Sequence, residues 1–226
     1  MDRVQKLLSN YGYCSRRKAE KLIEEKRVKV NGKVIILGDK ATDEDEISVD
    51  NKAVKKQKTI YLMLHKSVGC VTALTDPKYP TVMKYIDVKE RVFPIGRLDY
   101  NTSGILLFTN DGTFANKIMH PRYEIKKTYL ASLYTKIADN RVSQIEKGIM
   151  LDDGRTSPAK VKKINHNLIE ITIHEGKNRI IRRMLTKLEM KVKSLKRIKI
   201  GNLTLGDLKK NKCKYLSERE RDLIFS

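Results

Sequence analysis

Residues 50–58 read "DNKAVKKQK", four lysines around the two apolar residues Ala53 and Val54. Neither a helical nor a strand period runs through them, so the stretch reads as a linker, and the chain is expected to fold as two bodies. Residues 1–50 then form a small domain, 51–58 the connection, and 59–226 the main domain. In the chain of 226 residues, 40% are apolar, enough to give the larger part a core.

In the small domain Val4, Leu7 and Leu8 share a helical face that ends at Tyr11-Gly12. Ser15 is placed to cap a second helix, whose buried stripe is Ala19, Leu22 and Ile23. "VKVNGKVI" reads as a hairpin, because Asn31-Gly32 supplies the positive backbone angles of a type I′ turn. Arg16, Arg17 and Lys18 form an unmixed basic edge at the start of the second helix, where positive charge opposes the helix dipole. A feature that weakens the helix locally points to a use elsewhere; the other reading is an ordinary solvated face. The run "VQKLLSNYGYCSRRKAEKLIEEKRVKVNGKVI" resembles the αL RNA-binding motif shared by a small-subunit ribosomal protein and many RNA-modifying enzymes. That resemblance implies an RNA surface of Arg16, Arg17, Lys18 and Lys21 on the helix, with Lys29 and Lys33 on the hairpin.

Charge agrees with a polyanionic partner. Forty-eight Lys and Arg against 27 Asp and Glu leave +21, more than solubility demands. A second basic group comprises Lys177, Arg179, Arg182, Arg183 and Lys187. No long apolar run, lipidation signal or signal-peptide pattern is present, so a cytoplasmic protein without a membrane role is expected. Cys14, Cys70 and Cys213 are scattered and odd in number, which suits free thiols better than a disulfide framework or a metal site. The four histidines lack the spacing of a metal pair.

From Thr59 onward strand-like segments ("IYLMLHK", "ILLFTN", "TYLASLY", "AKVKKI", "LIEITIH") alternate with short helices around Val82–Ile86 and Val142–Lys147. A longer helical pattern is "NRIIRRMLTKLEM", and Ser217 with Glu220 makes a capping box for a last short helix. The order is not a strict βαβ repeat. An α+β fold with a largely antiparallel sheet is expected.

Within "FPIGRLDYNTSGILLFTNDG", Phe93 and Ile95 form a strand, and Asn101 to Gly104 favour a loop before "ILLFTN". Asp99 therefore stands on a strand exit, a place that suits a catalytic carboxylate and also suits an Asp that merely caps a turn. The whole run resembles the signature of the RsuA-like family of ribosomal RNA pseudouridine synthases. Further segments are similar to that family in order: "HPRYEIKKTYLASL", "LDDGRTSPAKV", "EGKNRIIRRM" and "LKRIKIGNLTL". The resemblance implies Asp99 as the catalytic aspartate, Tyr129 as the active-site tyrosine, Arg182 as its basic partner and Leu195 as a pocket wall. Arg97 would help hold the opened RNA strand, and Arg179 and Arg183 would meet phosphate. Ser67 in "LHKSVG" and Ile180 depart from the proline and glutamine usual in relatives.

The implied reaction breaks the uracil N1–C1′ bond and joins C5 to the same carbon, with no net redox change, so no cofactor and no metal is required. Asp99 would act either as nucleophile at C1′ or as base at C2′, on a uridine flipped from its stack. Arg182 would favour the ionised carboxylate against desolvation. The implied substrate is ribosomal RNA or a precursor particle, with small-subunit RNA slightly favoured over large-subunit RNA, and a monomer is the default state. The competing reading is an RNA-binding or ribosome-assembly protein that keeps the scaffold without turnover.

Overall fold

The computed structural model describes every residue from Met1 to Ser226. They divide into two compact units: Met1–Tyr61 with Val88–Phe93 and Phe108–Phe114, and Leu62–Asp87 with Pro94–Leu107 and Ala115–Ser226.

In the first unit, helices Val4–Asn10 and Arg16–Glu24 close their apolar faces over Val28, Ile47 and Val49. The Ser15 hydroxyl accepts the Lys18 N–H at 3.2 Å, satisfying one of the orphan donors of the second helix. Strands Val28–Val30 and Lys33–Val34 meet through Asn31 and Gly32, at φ 49° and 78°. The structure adds four short strands: Asp2–Arg3 pairs with Lys40–Ala41, and Ile47–Val49 lies between Val28–Val30 and Lys52–Ala53. Asp50 and Asn51 both adopt positive φ, 50° and 61°, and turn the chain so that Lys52–Ala53 pairs with Ser48 and Val49. The front of the supposed linker is thus a hairpin arm. It is exposed along its length and so shows no alternation of apolar and polar residues; only the tolerance of Asp and Asn for left-handed backbone marks the turn.

The second unit is built on one sheet with strand order Lys160–Asn165, Leu168–Ile173, Lys127–Leu133, Val192–Ile200, Thr102–Thr109, Tyr61–Lys66 and Cys213–Tyr215. Lys160–Asn165, Leu168–Ile173, Lys127–Leu133 and Val192–Ile200 pair antiparallel in turn, as do Tyr61–Lys66 and Cys213–Tyr215, whereas Thr102–Thr109 runs parallel to Val192–Ile200. Alternate residues Ile169, Ile171 and Ile173 face one core, which helix Ile180–Lys187 covers with Ile180, Ile181, Met184 and Leu185. Residues 82–85 form a single 3₁₀ turn, the helix near Val142 spans Asp139–Lys147, and the Ser217–Glu220 capping box is present.

The strand that contains "ILLFTN" begins earlier than the turn-forming residues suggest. Thr102, Ser103 and Gly104 pair in parallel with Leu195, Lys196 and Arg197, which extends the ladder through a segment read as loop. Gly104 makes this possible: at φ +112°, a Cβ there would lie 2.1 Å from the Arg197 carbonyl oxygen. No helix is long and apolar enough to cross a membrane.

Candidate active site

Asp99 lies in the turn between strands Phe93–Ile95 and Thr102–Thr109, and its backbone is fixed from several directions. Its carbonyl accepts the Thr102 N–H at 3.0 Å and the Lys66 ammonium at 3.0 Å. Lys66 also donates to the carbonyls of Ser67 at 3.0 Å and Thr102 at 2.9 Å. The side chain is fully buried, and burial pushes its ammonium below the usual lysine range while the nearby Cys70 and Asp99 act the other way. One residue earlier, Leu98 exchanges two hydrogen bonds with the Thr72 hydroxyl, at 3.2 and 2.8 Å. The carboxylate therefore projects from a turn whose main chain is tied down by neighbouring strands and loops.

It projects into a cavity of about 420 Å³ whose walls include Arg97, Asp99, Lys127, Tyr129, Arg179, Arg182, Leu195 and Arg197. Tyr129 stands on strand Lys127–Leu133, between Ile171 on one neighbour and Arg197 on the other. Arg197 is only 5% exposed. Its Nε donates to the Ile105 carbonyl at 2.8 Å, its Nη1 to the Tyr129 hydroxyl at 3.4 Å, and its guanidinium carbon lies 6.0 Å from the centre of the tyrosine ring. The tyrosine is thereby held at both its ring and its hydroxyl. Leu195, two positions earlier on the same strand, supplies an apolar wall.

Arg182 comes from helix Ile180–Lys187 and is partly buried. Its Nη2 donates to the Asn101 carbonyl at 2.7 Å, which spans the turn that carries Asp99, and the two side chains share the cavity without a direct ion pair. Burial pushes the guanidinium below its ordinary range, and the Asp99 charge opposes that shift. Arg97 and Arg179 are exposed at the cavity rim. Arg179 occupies the helix N-cap with φ 48°, a left-handed conformation uncommon for a long side chain.

Arg183 behaves differently from the expectation of a free phosphate contact. It grips Asp153 with two bonds of 2.8 and 2.9 Å, because the turn between strands Met150–Leu151 and Gly154–Arg155 presents that carboxylate to the helix. A second concavity, lined by Leu151, Asp152, Arg179, Arg182, Arg183, Thr186 and Lys187, lies along the same helix. In the other unit Arg16, Arg17, Lys18, Lys21 and Lys33 are exposed, Lys21 has Glu25 at 4.0 Å, and Lys29 donates to the Asn51 side chain at 2.9 Å.

Four residues escaped the sequence reading as parts of this site: Lys66, Thr72, Lys127 and Arg197. Two of them left a signal. Lys127 precedes Tyr129 by two and Arg197 follows Leu195 by two, so period-2 alternation puts each on the cavity face of its strand. Lys127 is half-buried, and burial, aided by the Arg197 charge, pushes its ammonium down to about 8. Lys66 left none, since a strand lysine ordinarily reaches out to water.

A predominantly antiparallel α+β scaffold thus gathers the carboxylates of Asp99 and Glu175, several cations and a tyrosine around one cavity, an arrangement suited to an anionic, ring-bearing ligand. Residues 60–187 match the RNA pseudouridylate synthase family model, and residues 2–47 the S4 domain. The chain is 43% identical over 229 residues to the ribosomal large subunit pseudouridine synthase B of Bacillus subtilis (strain 168), covering 97% of this chain and 94% of that protein. It is 44% identical over 232 residues to an RNA pseudouridine synthase of Aquifex aeolicus (strain VF5), covering 99% and 93%. A solved pseudouridylate synthase superposes with a TM-score of 0.74 at 30% identity, covering 99% of this chain and all of that one. The chain belongs to the RNA pseudouridine synthase family, in its RsuA-like branch with an N-terminal S4 RNA-binding domain.

Proposed function

We propose that the protein isomerises a uridine in ribosomal RNA to pseudouridine, with residues 1–50 binding RNA and 59–226 performing the chemistry. In this reading the target base is flipped into the cavity, and the Asp99 carboxylate acts at the sugar. The N1–C1′ bond breaks, the uracil turns, C5 bonds to C1′, and the proton from C5 leaves as N1 gains one, so that atoms and electrons balance without an external reagent. Tyr129 offers its ring to the detached uracil and its hydroxyl for the transfer from C5. Arg182 offsets the desolvation of the carboxylate through space rather than by a direct contact. Leu195 packs against the base, and the exposed Arg97 and Arg179 meet the strand at the rim.

The observation that carries this reading is the convergence of Asp99, Tyr129, Arg182 and Leu195 on one cavity from four separate chain segments. The relative from Bacillus subtilis is named for the large ribosomal subunit, at 43% identity over almost the whole chain. That support outweighs the slight preference for small-subunit RNA drawn from the sequence, so large-subunit RNA is the proposed substrate.

The test is to incubate the protein with unmodified transcripts of both ribosomal RNAs and to map pseudouridine at base resolution, beside an Asp99→Asn control. Product is expected at a discrete large-subunit position with the wild-type protein, and at least about 10³-fold slower with the control, whose amide can serve neither as nucleophile nor as base. Equal product from the control would remove Asp99 from the chemistry. RNA bound tightly but left unconverted by the wild-type protein would favour a purely binding or assembly role.

A further inference from the structure

Directly after Asp99 in the chain comes one member of a pair of aromatic rings that the reaction does not use. Tyr100, the residue after Asp99, and Tyr79, from the 69–81 loop, are 40% and 42% exposed, yet their ring centres are 5.3 Å apart at an interplanar angle of 58°. The Lys78 ammonium sits 5.4 Å from the centre of the Tyr79 ring and is itself exposed.

The backbone under these rings is cross-linked by hydrogen bonds. The Gly69 N–H donates to the Tyr100 carbonyl at 3.0 Å, and the two arms of the loop are joined by bonds between Val71 and Pro80 at 2.9 Å and between Val82 and Val71 at 3.0 Å. At the tip, the Asp76 carboxylate accepts the N–H groups of Lys78 at 2.9 Å and Tyr79 at 2.8 Å. Neither ring hydroxyl has a hydrogen-bond partner holding it to the protein surface. The result is two flat faces held open to solvent next to a carboxylate, with a cation alongside.

We propose that Tyr79 and Tyr100, with Lys78, form a stacking platform for an unpaired base of the RNA immediately adjacent to the target uridine. This inference rests on the reading of the cavity as a uridine site. A base that flips leaves its neighbours without a stacking partner, and an aromatic face within one residue of the catalytic carboxylate can replace the lost contact. Charge selects the occupant: Lys78 favours a segment carrying phosphate, on a chain of net charge +21. Because the two rings already lie against each other, less conformational entropy is lost when a base arrives than for two separate side chains.

The experiment uses the full-length protein and a synthetic RNA spanning a uridine that the wild-type protein converts, with 2-aminopurine at each neighbouring position in turn. Tyr79→Ala and Tyr100→Ala are expected to raise KM by roughly 5- to 100-fold, the range of base–aromatic stacking, with a much smaller fall in kcat. Tyr79→Phe and Tyr100→Phe should keep wild-type KM. In an Asp99→Asn background, 2-aminopurine emission should be quenched on binding when both rings are present and stay bright in the alanine variants. Unchanged KM and unchanged emission, in a wild-type protein that does make pseudouridine, would overturn the platform alone and leave the rings as a protein-binding or purely structural pair. Failure of the wild-type protein to convert any ribosomal uridine would overturn the underlying reading and the platform with it.

Discussion

Lys127 shows how a single side chain can weigh against stability while serving the site. Burial holds its ammonium at about 8, and Arg197 adds to the shift, whereas a lysine in the unfolded chain titrates near 10.4. Between those two values the unfolded chain binds the proton more tightly, so stability rises with pH across that window. Below pH 8 the folded protein carries the full penalty of a desolvated charge, and the penalty fades as pH approaches 10. Lys127→Met keeps the volume of the side chain and removes the charge. It should raise Tm by about 2–6 °C at pH 7, with the gain shrinking towards zero by pH 10, as read by thermal melts at both values. A gain that does not depend on pH would show that packing, not charge, is responsible. Lys66 is the contrasting case, because its burial is matched by three carbonyl acceptors and its charge is put to use in fixing the Asp99 turn.

At the scale of single elements, the parallel pairing of Thr102–Gly104 with Leu195–Arg197 brings the Asp99 turn beside the strand carrying Leu195 and Arg197, and Gly104 is the residue that permits it. Gly96, in the same motif, also has positive φ, 71°, but a Cβ there would meet nothing within 4 Å. The two glycines should therefore respond unequally to alanine. Gly96→Ala should cost about 1–2 kcal/mol, the strain of left-handed backbone alone, while Gly104→Ala must also push the Arg197 main chain aside and should cost at least about 3 kcal/mol, with loss of activity. Urea denaturation of the two variants measures the difference, and equal losses would refute the close-approach argument. The same pair explains what could be read in the chain beforehand. Short apolar runs mark the strands, and the Ser15 and Ser217 caps and the Asn31-Gly32 turn are legible because local chemistry alone dictates them. Gly104 was misplaced in a loop because its reason is a strand more than ninety residues away. The cavity residues Asp99, Tyr129, Arg182 and Leu195 were reached through motif resemblance, whereas Lys66 and Thr72 act on main-chain carbonyls and amides, partners that no sequence pattern displays.

For the molecule as a whole, the distribution of charge governs how it meets RNA. Arg16, Arg17 and Lys18 stand exposed at the start of their helix, and each unit carries cations of its own. If RNA binding neutralises about 6–10 phosphates, affinity should fall by roughly 10³ to 10⁵ between 50 and 200 mM salt, because each neutralised phosphate releases condensed counterion. The slope of log affinity against log salt separates this from recognition of the base in the cavity, which salt affects little. Arg16→Glu with Arg17→Glu should lower affinity and make the slope shallower by about 1.8, at about 0.9 per duplex phosphate lost. The single-turnover rate at saturating RNA should hold, since neither residue belongs to the unit that contains the cavity. Filter binding across a salt series, with single-turnover conversion measured alongside, reads both quantities. A slope that stays the same after both charges are reversed would take the helix edge off the RNA, and a rate that collapses at saturation would mean that the small unit takes part in the chemistry as well as in capture.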